Sequence, residues 1–199
     1  MWDIHDVHGL GLIVSRSNSY SAMAKVPKNW PSNVTYIQDP VYHPSVSSHV
    51  LAILKVRQPN ERAVLLTPKP SQKWTHIEKI SSPTHPACGQ LGLFASKTIK
   101  PNTMILYYIG QVHAESRETS DYDLSLLKTS GGINIGIDAQ LMGNEARCVN
   151  DYRGVADRPN AAFKEGRTEK GELRMSIWTA AKPVHKGKHE RQCSLVSRP

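Results

Sequence analysis

Cysteine is nearly missing from this chain: Cys88, Cys148 and Cys193 are the only three in 199 residues. None has the Cys-x-x-Cys spacing that anchors zinc, and three scattered thiols do not make a disulfide framework. Residues 1–87 hold no cysteine at all, which excludes a cysteine-rich module at that end. His185 and His189 are four apart, but Gly187 lies between them without a third ligand, so no metal site is expected. No stretch of ~18 apolar residues occurs, so no membrane-spanning helix is expected. The first residues, Met1-Trp2-Asp3-Ile4-His5-Asp6, lack the basic start and apolar core of a secretory leader. These absences favour a reducing, intracellular location.

What the chain has in excess is positive charge, +8 overall. Residues 164–199 carry nine Lys/Arg against four acids and so hold +5 of it. Glu165, Glu169, Glu172 and Glu190 are interspersed there without interleaved aromatics, which reads as a solvated basic end. Sequence-specific nucleic-acid recognition is not expected.

Residues 1–75 read as a proline-interrupted N-terminal region, weakly structured or irregularly β-rich. Pro27, Pro31, Pro40, Pro44, Pro59, Pro68 and Pro70 leave little room for long helices. Only residues 50–56, Val-Leu-Ala-Ile-Leu-Lys-Val, have the apolar density of a buried element, and their length leaves helix and strand open. After residue 76, short branched or aromatic runs at 91–95, 104–109, 133–137 and 173–178 predict strands. Gly131-Gly132 and Glu169-Lys170-Gly171-Glu172 predict hairpin turns. One helical turn is expected within 118–127. The patterning is mainly β with few short helices.

Four motifs then occur in order. Cys88-Gly89-Gln90-Leu91-Gly92-Leu93-Phe94-Ala95 is followed by a strand–turn–strand ending Tyr108-Ile109-Gly110. Ile137-Asp138-Ala139 precedes Gly143-Asn144-Glu145-Ala146-Arg147-Cys148-Val149-Asn150-Asp151-Tyr152, with Pro159-Asn160 closing the last stretch. Together they resemble the SET-domain family of S-adenosylmethionine-dependent protein-lysine N-methyltransferases, over residues 74–187. The resemblance implies a β-clip-like fold of small sheets around a knot-like crossing. It also implies a SET domain at 76–187 and a lysine-bearing protein substrate such as a histone, hence a nuclear rather than cytoplasmic place. Oligomeric state stays open.

Residue by residue, the resemblance implies that Leu91, Gly92 and Leu93 carry a cofactor loop, although a plain tight turn is the alternative for Gly92. Asn150 would hold the amino-acid part of S-adenosylmethionine. Arg147 would line the pocket or form an ion pair with Glu145 or Asp138. Tyr108 would face the methyl-transfer site, or be core, and Tyr107 must point to the opposite face of the strand. Tyr122 is a second aromatic for the substrate channel. Gln90 stands where the family has glycine, and Asp151 where it has histidine; Asp151 is expected to be a loop residue, and Asn160 to fix its loop. The resemblance stops inside a motif at Gly187. Residues 188–199 read as an unrelated basic tail without the family's closing tyrosine, so an incomplete knot and weak or absent catalysis are expected. A catalytically inactive SET-derived peptide-binding module, or a truncated gene product, is the alternative.

Overall fold

In a computed structural model, residues 25–56, 67 and 74–186 are described, together with the backbone of 196–197. Thirteen short strands, one α-helix and one 3-10 helix make up these residues. No helix among them is long and apolar enough to cross a membrane. The mainly β architecture expected from the patterning is what the fold shows, divided into five small sheets.

Three of the sheets are built around an antiparallel pair of strands that follow one another in sequence. Strands β3 (Thr75–Lys79) and β4 (Leu91–Ala95) pair antiparallel. Strands β11 (Ala161–Arg167) and β12 (Leu173–Thr179) form a hairpin, and β12 also pairs β5 (Met104–Tyr107). Strands β6 (Gln111–His113), β7 (Asp123–Lys128) and β8 (Asn134–Asp138) lie side by side in the order β6-β8-β7. Both expected hairpin turns form, and each has a glycine at positive φ: Gly132 at 82° and Gly171 at 87°. An L-residue with a side chain rarely adopts that conformation, which is why glycine stands there.

The other pairings join distant parts of the chain. Strand β1 (Thr35–Tyr36) runs parallel to β9 (Met142–Gly143), and β2 (Val41–Tyr42) parallel to β6. Strand β10 (Asn150–Asp151) pairs parallel with β13 (Val196–Ser197), so the backbone near the end of the chain returns to the signature segment.

The ambiguous apolar run resolves as helix α1 (Ser48–Lys55). Ser47 caps it by accepting from the Val50 N–H, and Val50 and Leu54, four apart, turn one face into the core. Its last carbonyls do not face water. The guanidinium of fully buried Arg167 donates to the carbonyls of Ile53 and Leu54, and to that of Gly171 at the β11–β12 turn. One side chain thus ties the N-terminal helix to the last hairpin.

The helical turn expected within 118–127 does not form. Its second half is strand β7, and its first half is a loop held by Arg117 and Ser120, which both bond to the Asp138 carboxylate. That buried carboxylate, supplied by β8, outcompetes local helix formation. The main core joins Leu93, Ile105, Ile135, Ile137 and Ile177 with Val50 and Leu54, so elements from both ends of the chain share it.

Candidate active site

A cavity of about 810 Å³ opens where β4, the end of β5, the loop before β7 and the signature segment meet. Leu91, Tyr108, Tyr122, Arg147 and Asn150 all line it, with Gln90, Phe163 and Asp151. Five of the seven residues singled out in the sequence therefore come together. Gly92 and Leu93 do not line it. Leu93 is fully buried in the main core behind β4. Gly92 has its missing Cβ aimed at Phe94: an added carbon would lie 2.7 Å from the ring and 3.2 Å from Ile80. Packing against Phe94 and Ile80 therefore constrains this position to a small residue.

Tyr108 is 4% exposed and its hydroxyl donates to the Tyr122 carbonyl at 2.6 Å. Its ring meets Phe163 edge-on, with centroids 5.7 Å apart. Burial holds the phenol well above its ordinary range, so it stays protonated and keeps donating. Tyr107 points the other way, as strand alternation requires, into a separate cluster with Met104 and Ile109, and bonds Thr67.

Several close contacts fix this geometry. Gly110 abuts the Asp138–Ala139 backbone, and Gly143 abuts Ile109 and Ala139. The Ala139 N–H also donates to the Tyr122 carbonyl, the same oxygen that receives Tyr108. Asn144, buried at 6%, accepts from the Ile109 N–H at 3.2 Å and donates to the Tyr107 carbonyl at 2.8 Å. It clamps the backbone on both sides of Tyr108. Nothing in the residue pattern set Asn144 apart from its neighbours, because its role is only to satisfy backbone that lies 35 residues earlier.

Arg147 settles between its two sequence alternatives. Its guanidinium lies 4.0 Å from the Tyr122 ring centroid, and Nε donates to the Ala139 carbonyl. Asp138 is taken by Arg117, and Glu145 accepts from the Tyr36 hydroxyl, so Arg147 pairs with neither acid. It is a cavity-lining cation. Asn150 Nδ2 donates to the Leu91 carbonyl at 3.2 Å, joining the signature segment to β4 across the cavity wall. Asp151, in β10, accepts from the backbone N–H and the guanidinium of Arg153.

Phe163 was not singled out in the sequence, although it is one of only two phenylalanines. The residues Pro31, Asn33 and Val34, from the N-terminal region, also line the cavity. The pairing of β1 with β9, with the bonds of Asn29 to Ile77 and Tyr36 to Glu145, brings them there. Among the described residues no cluster of three His, Cys, Asp or Glu side chains could hold a metal ion.

Cys148 lies at the cavity floor, buried, and burial pushes its thiol up to about 12. Since thiolate is the reactive form, a thiol reagent at mildly alkaline pH should label exposed Cys88 and spare Cys148 until the protein is unfolded. Peptide mass mapping reads this. Equal labelling rates in the native protein would mean the floor is open to solvent.

No family profile and no curated protein matches the sequence. Among solved structures, the chain is similar to ATXR5 crystallised with mono-methylated histone H3.1, at 15% identity and a TM-score of 0.58. That match covers 83% of this chain and 80% of the other. A Chaetomium thermophilum Polycomb Repressive Complex 2 matches at 25% identity with a TM-score of 0.46. The same complex in an autoinhibited conformation, bound to S-adenosylmethionine, matches at 23% with a TM-score of 0.46. Those two matches cover 61% and 62% of this chain, which spans 15% of the length of each Polycomb chain. The five small sheets, the parallel return of the chain end to β10, and the likeness to ATXR5 along most of both chains lead to one conclusion: this protein has the SET-domain fold.

Proposed function

We propose that the cavity binds S-adenosylmethionine beside a channel for a protein lysine, making this a methyltransferase-type site. The observation that carries the reading is the convergence of Leu91, Tyr108, Tyr122, Arg147 and Asn150 on one cavity. Its volume suits a ligand of that size, since small-molecule sites run to roughly 300–1,000 Å³. The donor set also fits the cofactor's chemistry: a guanidinium for a carboxylate, an amide for an amino-acid group and aromatic walls for a cation.

When bound, the cofactor supplies an electrophilic methyl group on sulfur. The chain's own residues supply position and environment. Arg147, already oriented by the Tyr122 ring and the Ala139 carbonyl, offers its remaining N–H groups to a carboxylate. Asn150 holds the Leu91 carbonyl in place and sets the width of the cavity between β4 and β10. Tyr108, Phe163 and Tyr122 make an aromatic wall that disfavours the ammonium form of an entering lysine. A protonated Tyr108 hydroxyl that donates to Tyr122 leaves its oxygen lone pairs to accept from the neutral amine. Holding the amine in line accounts for much of the acceleration, on the order of 7 kcal/mol or more. A histone tail is the first substrate to assay, which would place the protein in the nucleus.

The test is transfer of a labelled methyl group from S-adenosylmethionine to core histones by the full chain. Tyr108→Phe removes one hydrogen-bonding group from the site and should slow transfer by ~10²–10³ while leaving cofactor affinity nearly unchanged. Transfer at equal rates in both proteins would remove Tyr108 from the site. Cofactor binding with no transfer to any lysine would leave a peptide-binding module in place of an enzyme.

A further inference from the structure

We propose that the ribbon formed by residues 96–103 and 180–186 binds the phosphate backbone of duplex nucleic acid without regard to base sequence. This surface lies in segments that contribute nothing to the cavity, and the proposal does not rest on the reading of that site. Ile99 and Val184 exchange both backbone hydrogen bonds, at 2.8 and 3.0 Å. The Asn102 N–H bonds the Ala180 carbonyl, and the Thr179 hydroxyl bonds the Lys100 carbonyl, so the two segments lie side by side. Ile99 and Val184 are each 1% exposed and turn into the core. Their flanking residues are left at the surface.

Those residues are strongly cationic. Lys97, Lys100, Lys182 and Lys186 are all exposed, with His185 beside them, and neither segment contains an acid. No acid occurs anywhere between Lys79 and Ala114. Among the described residues the four lysines make no ion pair; Lys97 instead lies 4.3 Å from the Trp74 ring centroid. Three arginines elsewhere are neutralised: Arg117 by Glu115 and Asp138, Arg153 by Asp151, Arg174 by Asp39 and Glu172. What sets the ribbon apart is that four unpaired lysines are grouped on two adjacent segments that hold no acid.

The chemistry selects the partner. Residues 182–186 span about 14 Å at strand spacing, and duplex DNA carries one charge per ~1.7 Å of axis, so a phosphate array matches the ribbon in density and reach. Base reading is not supported, because the ribbon has no aromatic and no arginine, and Asn102 is its single exposed amide. A bilayer is not favoured, because interfacial binding needs apolar insertion and the exposed large apolar residues, such as Ile133 and Leu141, lie elsewhere. An acidic peptide strand is not favoured either. Pro101 and Pro183 carry no N–H, and the N–H groups of Ile99 and Val184 are already used.

The experiment is fluorescence anisotropy of the full chain with two unrelated duplexes of about 30 base pairs, over a salt series. Both should bind alike, and the log–log salt slope should be about −3 to −4 for four neutralised phosphates. A combined Lys97/Lys100/Lys182/Lys186→Gln variant should lose at least ~10-fold in affinity and flatten that slope. A Lys28/Lys55/Lys164/Lys170→Gln variant has the same net charge, with all four changes at exposed positions outside the ribbon, and should bind within about twofold of the parent. Circular dichroism confirms that both variants fold. Equal losses in the two variants would overturn the proposal, as would ribbon-dependent binding to phosphatidylserine vesicles or polyglutamate with none to duplex.

Discussion

Asn144→Ala should unsettle the protein more than any other polar substitution around the cavity. It strips partners from two buried backbone groups at once, the Ile109 N–H and the Tyr107 carbonyl. Leaving a buried group unsatisfied costs about 1–3 kcal/mol, so a loss of about 2–5 kcal/mol is expected, or roughly 5–15 °C in the melting temperature of a domain this size. Asn144→Asp separates the two bonds. A carboxylate can still accept from Ile109 but faces the Tyr107 carbonyl with no hydrogen to give, so it should fall well short of the parent. Thermal melts of the three proteins check this, and a change under ~0.5 kcal/mol in the alanine variant would show that Asn144 is not the clamp on Tyr108.

Gly110→Ala should be at least as damaging. A Cβ built there overlaps the Asp138 carbonyl oxygen and lies 2.6 Å from its carbon and 3.0 Å from the Ala139 nitrogen. These are backbone atoms of β8 and its continuation, which cannot swing aside as a flexible side chain can. Overpacking a core with side chains costs about 1–3 kcal/mol, and a clash with backbone should exceed about 3 kcal/mol. Gly131→Ala serves as the comparison, since its Cβ would meet nothing nearer than 3.9 Å. Urea unfolding should place the Gly131 variant near the parent and the Gly110 variant far below it, or unfolded at the outset. A small effect at Gly110 would mean that Asp138 and Ala139 can retreat without disturbing Tyr122.

These two residues show where the sequence was legible and where it was not. Tyr107 and Tyr108 had to face opposite ways because a strand alternates, and they do. The two glycine-bearing hairpin turns were readable for a similar local reason. The resemblance to the SET family brought five of its residues to one cavity from motifs up to 59 residues apart. What stayed hidden depends on partners far along the chain. Parallel pairs of two residues each, such as β1 with β9, leave no periodic trace, so the entry of Pro31, Asn33 and Val34 into the cavity wall was not readable. The run at 50–56 became helix because Arg167, over a hundred residues later, takes up its terminal carbonyls. At Gly92 the place of a Cβ is taken by the ring of Phe94, two residues on, a contact that the motif does not show. Residues 187–195, which include His189 and Cys193, lie outside the described residues, so the expectations for the basic tail rest on sequence there.

The central claim is that the Arg147–Asn150 wall of the cavity binds S-adenosylmethionine. Calorimetric titration of the cofactor into the full chain tests it most directly, alongside Asn150→Ala with its fold checked by circular dichroism. The account predicts saturable binding with one site per chain. It also predicts a loss of at least ~10-fold in affinity in the variant, because the amide that fixes Leu91 and lines the cavity is worth on the order of 1–2 kcal/mol or more. No heat at millimolar cofactor, or equal affinity in the folded variant, would contradict the account.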